Sequence, residues 1–385
     1  MIPGPTVRCI GLMSGTSLDG VDGVLVQFDD GAGAAGRVLA DAGVVMPTAL
    51  RDALLALQQP GDNELHRAAQ AGAALADLYA TMVQRLLTAA GLTAADVAAI
   101  GAHGQTVRHM PPGHPRLRPD ETPYTLQLLA PARLAEATGI TVVADFRSRD
   151  IAAGGQGAPL VPAFHRATFG RPGEALAVVN IGGIANLTAL RADGSVRGLD
   201  SGPGNVLLDG WCERHTGARY DADGAWSRTG RVLPALLADL LADPYFHRTG
   251  ARSTGRDHFH LGWLDAALAR HAPVRPEDVQ ATLVALTADT IARAIMGADW
   301  GGEAPRRVLV CGGGAHNAAL LDALRARLPS MAVETTASAG WPPQWVEAAA
   351  FAWLAREALC GRFGNVPDVT GARGPRLLGA IYPVG

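Results

Sequence analysis

The residues best suited to chemistry lie between positions 177 and 211, where an acidic side chain follows a predicted strand and precedes a glycine-rich turn. Asp200 is that acid, the turn is SGPGN at 201–205, and Asn205 is a good N-cap for a helix over 206–216. Free backbone N–H groups at such a turn bind anions, and a carboxylate accepts a proton. The stretch suits a site that holds an anion and moves a proton, but it equally fits a tight turn with a solvated aspartate.

Three glycine-rich turns each follow a predicted strand, at 11–22, 180–185 and 312–317. Backbone N–H groups at turns of this kind hold phosphates without help from a lysine. The third turn opens a helix, and its glycines let a flat ring approach the backbone closely. Three such turns in one chain that also carries acidic residues at 19, 22 and 200 favour a nucleotide-binding site.

Composition narrows the classes of function. The chain has 385 residues, enough for two domains, and it is 48% hydrophobic and 18% charged, as globular proteins are. A net charge of -3 gives no sign of a nucleic acid or an anionic membrane as partner. All 33 basic residues counted as Lys or Arg are arginine, which excludes an essential lysine and a Walker-type phosphate loop.

Cysteine usage and hydropathy indicate where the protein works. Cys9, Cys212, Cys311 and Cys360 are far apart and lack the spacing of a metal site, which is typical of single thiols in a reducing compartment. The first residues lack the basic and apolar regions of a signal peptide, and no run of about 18 apolar residues is present. We therefore expect a cytoplasmic protein.

Strands alternating with helices must position these residues, which predicts the α/β class. The strand–turn–strand pattern at 7–28 returns at 177–190, and two such hairpins half a chain apart predict two domains of similar topology. A strand over 97–103 ends at His103, and another over 140–144 runs into the polar segment 145–150. The small-residue segment 152–159 is the predicted domain junction.

Beyond these patterns, a set of motifs carries a resemblance to a known family. The motifs are IGLMSGTSLDGVD (10–22), GAHGQTVRH (101–109), TLQL (125–128), VVADFRSRDIAAGGQGAPLVPAFH (142–165), VVNIGGIANLT (178–188), LDSGPGNVLLDGW (199–211), STGRDHF (253–259), VLVCGGGAHN (308–317), WVEAAAFAWLA (345–355), GNVPDVTGA (364–372) and LGAIYP (378–383). With these motifs the chain resembles the sugar-kinase, actin and heat-shock ATPase superfamily. Within it, the chain is similar to the anhydro-N-acetylmuramic acid kinases of bacterial cell-wall recycling. Ser201, Arg252 and Pro342 depart from the family pattern, where Thr, Lys and Asp are usual.

The resemblance implies a two-domain, actin-like sugar-kinase fold. Each domain would be a mixed β-sheet flanked by helices, with the active site in the cleft between them and closure on ligand binding. It places residues 1–147 and about 367–385 in the N-terminal domain and 148–366 in the C-terminal domain. It also implies ATP, Mg²⁺ and a homodimer. The reaction would open the 1,6-anhydro ring with water and phosphorylate O6, giving N-acetylmuramic acid 6-phosphate and ADP.

The resemblance also implies a role for individual residues. Asp200 would be the general base that takes a proton from the attacking water. Contacts to the nucleotide are implied for Gly15, Thr16, Ser17, Leu18, Asp19, Gly20, Val21, Asp22, Asn180, Gly182, Gly183, Gly312, Gly313, Gly314 and Ala315. Asp19 and Asp22 would also help to order Mg²⁺ through water. Contacts to the sugar are implied for Glu347, Arg147, His103 and Gln105.

Other interpretations of these residues remain open at the level of sequence. Arg147 suits the lactyl carboxylate of the substrate, but it equally fits a structural salt bridge to Asp145 or Asp150. Asp22 fits a turn-capping residue, Glu347 a solvated helix face, and His103 either a polar lining residue or a second acid or base. For the whole chain, another sugar kinase of the superfamily and an ATP-driven switch without enzymatic activity are the alternatives.

Overall fold

The computed structural model describes residues 6–15, 18–29, 36–118, 120–248, 254–255 and 257–384. The strands in these residues are β1 (Thr6–Met13), β2 (Gly20–Asp29), β3 (Gly36–Val45), β4 (Ala99–Ala102), β5 (Gln105–Met110), β6 (Tyr124–Leu128), β7 (Val142–Ala144), β8 (Leu176–Ile181), β9 (Ile184–Leu190), β10 (Val196–Pro203), β11 (Arg307–Cys311), β12 (Ala332–Thr335) and β13 (Ala380–Tyr382).

The α-helices are α1 (Thr48–Ala56), α2 (Glu64–Ala90), α3 (Pro131–Thr138), α4 (Ser148–Ala152), α5 (Val161–Phe169), α6 (Asn205–Thr216), α7 (Pro234–Leu241), α8 (Leu261–Leu268), α9 (Pro276–Gly297), α10 (Ala318–Arg327), α11 (Val346–Leu359) and α12 (Pro367–Thr370). The chain divides into two compact units. Unit 1 is Met1–Thr168 with Trp345–Gly385, and unit 2 is Phe169–Gln344. The α11 helix lies in unit 1, whereas the sequence placed it with residues 148–366.

Unit 1 is built on a six-stranded mixed sheet with the strand order β13-β7-β4-β1-β2-β3. Strands β1, β2 and β3 form an antiparallel meander. Strand β1 also pairs in parallel with β4, which pairs in parallel with β7. The long helix α2 covers this sheet and buries one face of its side chains, including Leu75, Tyr79 and Leu86. Strands β5 and β6 form a separate two-stranded sheet.

Unit 2 repeats the same plan in its five-stranded sheet, with the order β10-β9-β8-β11-β12. Here β8, β9 and β10 form the antiparallel meander, and β8 pairs in parallel with β11, which pairs in parallel with β12. Helices α6, α7, α9 and α10 contribute the apolar side chains of its core. The predicted α/β class is confirmed, and the two units share one sheet topology, as the repeated hairpin predicted.

Helix α9 is the central helix of unit 2. Among the described residues it alone is long and apolar enough to cross a membrane, with a mean hydropathy of 1.2 over the relevant stretch, 83% of which is buried in the protein. Its buried residues pack with the core of unit 2. The apolar sequence of α9 therefore reflects its place inside this core.

A pair of glycines decides where α11 lies on the sheet of unit 1. Gly11 of β1 and Gly101 of β4 are register partners in the parallel pair. A Cβ on Gly11 would be 1.8 Å from the carbonyl oxygen of Ala348, and one on Gly101 would be 2.0 Å from that of Phe351. Because neither glycine carries a side chain, α11 packs directly on the sheet. Its first turn, which carries Glu347, is fixed by this contact.

Candidate active site

The loop between β1 and β2 is the first predicted phosphate loop, and protein contacts hold its two ends. The buried Ser14 hydroxyl lies 3.0 Å from the Tyr79 hydroxyl and donates to the carbonyl oxygen of Gly104 at 3.0 Å. The carbonyl oxygen of Asp19 accepts from the Met46 N–H at 3.0 Å. Leu18 has a left-handed φ of 56° and a fully buried side chain, so it anchors the loop to the core.

Not every residue of this first loop is free to face a ligand. Val21 is fully buried, and a Cβ on Gly20 would be 2.5 Å from the carbonyl oxygen of Val44. Gly20 therefore serves the close approach of β2 to β3, and Val21 serves the core. Thr16, Ser17 and Arg252 lie outside the described residues.

Two other carboxylates of unit 1 act on Asp22. Desolvation raises the pKa of Asp22 to about 6, and the negative charges of Asp19 and Glu347 add to this shift. Water still reaches Asp22, an exposed residue, and screens part of this repulsion. Burial also raises the pKa of Glu347, against the opposing effect of the Arg147 cation. The loop end and the first turn of α11 therefore form a region of negative charge that favours a cation or a proton.

The cation that the family resemblance implies is Mg²⁺. In the described part of the chain, no three His, Cys, Asp or Glu side chains come close enough together to hold a metal ion. Mg²⁺ in phosphoryl-transfer enzymes commonly relies on one or two carboxylates, the substrate phosphates and water. Asp19 and Asp22 fit this kind of binding, and after desolvation the charge of Asp19 is the next cause that raises the pKa of Asp22.

Arg147 and His103 form a hydrogen-bonded pair. Nε and Nη2 of Arg147 lie 3.1 and 2.9 Å from Nε2 of His103, and Nη1 donates to the carbonyl oxygen of Gly157 at 2.8 Å. Burial and then the Arg147 charge lower the pKa of His103 to about 3, so the ring is neutral and accepts through Nε2. His103 therefore positions Arg147, and a role as a second acid is not supported by this geometry.

Arg147 does not use the salt bridges that the sequence left open. Asp145 accepts from the Ser148 hydroxyl at 2.5 Å and from its backbone N–H at 3.3 Å. The fully buried Asp150 accepts from Asn365 at 2.7 Å, and further bonds come from the Thr370 hydroxyl and the Gly157 N–H. Burial lowers the pKa of Arg147 to about 10, while Glu347 and Asp150 oppose this shift, so the guanidinium stays charged.

Gln105 is a second polar residue of this region and is fully buried at the start of β5. Neither its side-chain oxygen nor its side-chain nitrogen has a hydrogen-bond partner among the described residues. The indole N–H of Trp345 is likewise buried without a partner there. Buried polar atoms are nearly always bonded, so these groups are suited to a ligand or water. Sequence reasoning missed Trp345, although the WVE motif contains it.

Unit 2 places Asp200 in a bulge of the edge strand β10. The strand was expected to end before Asp200, but it continues to Pro203, and its register with β9 shifts between Asp200 and Gly202. Oδ2 of Asp200 accepts from the backbone N–H of Thr254 at 3.0 Å, and the Tyr245 hydroxyl donates to the Asp200 carbonyl oxygen at 2.7 Å. Bulges commonly aim a side chain at a functional site. Sequence reasoning missed both partners, although the STGRDHF motif contains Thr254.

The second predicted phosphate loop contacts the start of α6. The Gly182 carbonyl oxygen accepts from the Asn205 N–H at 2.8 Å, and the Gly183 carbonyl oxygen accepts from Gly204 and Val206 at 2.9 and 3.1 Å. The prediction of Asn205 as N-cap is wrong: Gly204 holds that position, and the Asn205 side chain donates to the Ile181 carbonyl oxygen at 3.2 Å. The loop carbonyls thus take first-turn N–H groups that an anion would otherwise use.

The glycines of the second and third turns differ in what surrounds them. A Cβ on Gly312 would be 2.3 Å from the Asn180 side-chain oxygen, and one on Gly314 would be 2.3 Å from Cγ2 of Ile181. For Gly182 and Gly313 the nearest atoms would be 3.6 and 3.5 Å away, which is ordinary contact. Gly312 and Gly314 therefore allow the two turns to pack together, whereas Gly182 and Gly313 leave space beside the backbone.

Ala315 completes the third turn. It lies in the 3-10 helix Gly313–His316 and is buried, so its side chain belongs to the core of unit 2. Helix α10 then begins at Ala318 with Asn317 as its N-cap, whose side chain accepts from the Leu320 N–H at 3.0 Å. The strand, glycine turn and helix follow one another here as the sequence predicted.

Two α/β units of one sheet topology, with glycine-rich turns in each, fit the two-domain sugar-kinase fold. The family model described as anhydro-N-acetylmuramic acid kinase matches residues 7–384. A relative with that name from Variovorax paradoxus (strain S110) is 55% identical to this chain, and the match covers 97% of this chain and 98% of the relative. A relative with that name from Cupriavidus pinatubonensis (strain JMP 134 / LMG 1197) is 57% identical, and the match covers 98% of each. The chain belongs to the anhydro-N-acetylmuramic acid kinase family.

The similarity of this chain to solved structures is weaker than its similarity to these relatives. The ROK hexokinase from Thermus thermophilus is 18% identical, with a TM-score of 0.37, over 91% of this chain and 99% of that chain. A likeness of this size adds nothing to the assignment, which depends on the family model and the relatives.

Proposed function

We propose that the chain transfers the γ-phosphoryl group of ATP to O6 of 1,6-anhydro-N-acetylmuramic acid while water opens the anhydro ring. The C1–O6 bond breaks as a C1–O bond to water forms, and the O6–P bond forms as the bond to ADP breaks. The products are N-acetylmuramic acid 6-phosphate, ADP and a proton. Membership of a kinase family supports the activity and the use of ATP, and the bonded, bulge-mounted Asp200 is the observation that carries the mechanism.

In this proposal Asp200 takes a proton from the water that attacks C1. The Thr254 N–H bonds one carboxylate oxygen, which fixes the orientation of the group. A positioned base contributes roughly 10²–10⁴-fold to such a step. The rest of the rate enhancement must come from orientation of the water and the sugar.

The nucleotide is assigned to the glycine turns. Gly182 and Gly313 have room beside their backbone, which supports a close approach of phosphate and adenosine to these positions. The turn between β1 and β2 is assigned to the β- and γ-phosphates, while Gly20 and Val21 serve the packing of β2. Asp19 and Asp22 would hold Mg²⁺ through water, and the ion, when bound, offsets negative charge on the phosphates.

The sugar is assigned to Glu347, Arg147, His103 and Gln105. The hydrogen bonds of Arg147 to His103 and to the Gly157 carbonyl oxygen use three of its five N–H groups, so two remain for a carboxylate of the substrate. The lactyl carboxylate is the group that a guanidinium fork fits best. The amide of Gln105, which has no hydrogen-bond partner among the described residues, is suited to a sugar hydroxyl or the N-acetyl group. A homodimer in the bacterial cytoplasm stays a prediction.

Incubation with ATP, Mg²⁺ and the anhydro sugar in ¹⁸O-labelled water tests the reaction. The proposal expects one label at C1 of a 6-phosphorylated product, detected by mass spectrometry after removal of the phosphate. N-Acetylglucosamine serves as the control substrate, because it has neither an anhydro ring nor a lactyl group. Label in inorganic phosphate instead, or a product without label, would show that water does not attack C1.

A further inference from the structure

We propose that Asp243 is a positioning residue for Asp200, and that it acts through Tyr245 and the turn that carries Thr254. This inference rests on the proposed role of Asp200 as the base. Asp243 follows α7 and precedes the 3-10 helix Pro244–His247. The inference does not involve the glycine turns or the acidic residues at 19, 22 and 347.

Three donors converge on the Asp243 carboxylate. Oδ1 accepts from the Tyr245 backbone N–H at 2.9 Å, and Oδ2 accepts from the Trp263 indole N–H at 2.9 Å and lies 3.1 Å from Nε2 of His258. Burial opposes ionisation, but these hydrogen bonds outweigh it and lower the pKa of Asp243. The side chain is only 14% exposed, so it joins the segments at 245, 258 and 263 inside the protein.

One contact to Asp200 comes from a residue that Asp243 bonds directly, and the other is linked to Asp243 through His258 and Gly255. The Tyr245 hydroxyl bonds the carbonyl oxygen of Asp200 at 2.7 Å. On the other side, the backbone N–H groups of His258 and Phe259 donate to the carbonyl oxygen of Gly255, the residue next to Thr254, at 3.1 and 3.0 Å. The Thr254 N–H then bonds Oδ2 of Asp200 at 3.0 Å.

An aromatic cluster makes this arrangement rigid; we define it as Tyr245, Phe246, His258, Phe259 and Trp263. The fully buried Phe259 ring lies between the others, with centroid distances of 4.3 Å to His258, 5.4 Å to Phe246, 5.5 Å to Tyr245 and 5.2 Å to Trp263. Offset and edge contacts of this kind stabilise beyond their buried area. A shift of one ring therefore moves the whole cluster.

The cluster also contacts the bulge that carries Asp200. Gly202 has a φ of 151°, and a Cβ there would be 2.7 Å from the Phe246 ring. The Phe246 ring thus fills the space in which a side chain at 202 would stand. Both the position of the bulge and the orientation of the Asp200 carboxylate depend on where the cluster lies, and Asp243 ties the cluster to the backbone.

The variant Asp243→Asn tests the inference. An amide can still accept from Tyr245, but its NH₂ group would then face the Trp263 and His258 donors and lose both hydrogen bonds. We expect kcat to fall roughly 10- to 100-fold, since misplacement of a reacting group by about 1 Å has effects of this size. The KM for ATP should stay within about twofold, because the nucleotide is assigned to other residues.

The control is Asp239→Asn on α7. Asp239 is also bonded by a histidine and a second donor, His271 Nε2 at 3.1 Å and Arg270 Nε at 3.0 Å, but these partners follow α8. The control should lose as much melting temperature as Asp243→Asn while keeping kcat. Tyr245→Phe, which removes only the hydroxyl, should also lower kcat. In the double variant with Asp243→Asn, it should lower kcat by a smaller factor than it does in the wild type.

The inference is overturned if kcat for Asp243→Asn equals that of the control. It is also overturned if the kcat losses of the two single variants multiply in the double variant. If Asp243→Asn does not fold, an unchanged kcat in Tyr245→Phe overturns it. Asp200→Asn, measured in parallel, separates this inference from the proposed function. A large loss there with no loss in Asp243→Asn rejects only the positioning role, whereas retained turnover in Asp200→Asn rejects both.

Discussion

Replacing Asp200 with asparagine separates the chemical role of this residue from its structural role. Asparagine has nearly the same shape, and its side-chain oxygen can accept the Thr254 N–H that now bonds Oδ2 at 3.0 Å. The Tyr245 hydroxyl bonds the backbone carbonyl oxygen, which the substitution does not touch. The bulge and the turn should therefore keep their shape, and only the proton acceptor is lost.

The two effects of Asp200→Asn differ in size. A hydrogen bond to a charged acceptor contributes about 1.5–3 kcal/mol and one to a neutral acceptor about 0.5–1.5 kcal/mol, so the fold should lose on the order of 1 kcal/mol. For a unit of this size that is a shift in melting temperature of about 2–4 °C. Loss of the base should lower kcat by roughly 10³-fold or more, about 4 kcal/mol of transition-state stabilisation.

Steady-state kinetics with calorimetric binding of each substrate measures both effects. We expect the loss to fall on kcat, with the dissociation constants for ATP and the anhydro sugar nearly unchanged. Circular dichroism melting supplies the stability. A variant that keeps about a tenth of the wild-type kcat at normal stability would remove Asp200 from the mechanism. A large loss of substrate affinity would instead point to a structural aspartate.

Further predictions concern single side chains. Gly182 has room for a side chain, so Gly182→Val should weaken ATP binding at least tenfold in calorimetry and keep its melting temperature. Gly312 has a φ of 81° and an occupied Cβ position, so Gly312→Val should lose stability. Equal ATP affinity in Gly182→Val and the wild type contradicts the loop assignment. Because the pKa of His103 in the fold, about 3, lies below the unfolded value of about 6.5, its contribution to stability is complete above pH 6.5 and is lost as the pH falls toward 3. At pH 5 that loss is about 2 kcal/mol, and His103→Gln should remove it from the pH dependence of unfolding; an identical pH dependence, or an NMR titration of His103 near 6.5, contradicts this. Gln105→Leu should raise the KM for the sugar about tenfold without lowering the melting temperature, since it removes two buried polar atoms that have no partner in the described part of the chain. An unchanged KM contradicts the assignment.

Sequence patterns predicted most of the elements because their apolar positions repeat with a clear period. The two hairpins and the strand before the third glycine turn were predicted, and they are present. Strand β3 was missed because only Ala40 of its ten residues is buried, so its apolar pattern is weak. The cap of α6 was wrong because the Gly182 and Gly183 carbonyl oxygens reach the helix start from another strand pair.

The candidate site shows a similar limit. Glycine turns and acidic residues can be found by composition and spacing, but the sequence does not separate glycines that permit packing from glycines that leave room for a ligand. Only the distances at Gly312 and Gly182 make that distinction. The partners of Asp200 lie 45 and 54 residues away along the chain, and His103 lies 44 residues from Arg147, so local patterns carry no sign of these bonds.

The pairing of Arg147 with a neutral histidine also bears on substrate choice. A histidine with a pKa of about 3 accepts hydrogen bonds without adding a negative charge beside the guanidinium, unlike an aspartate partner. A lysine could not replace Arg147, because its compact ammonium lacks the planar fork that reaches His103, the Gly157 carbonyl oxygen and a carboxylate together. Glu347 opposes the desolvation of this cation through its charge. In the proposed function, a hexose without a lactyl group leaves the two remaining Arg147 N–H groups without an anionic partner. An unpaired, part-buried donor of a charged group loses more binding free energy than the absence of an ordinary contact does. Discrimination against neutral sugars then follows from the same pair that fixes the arginine.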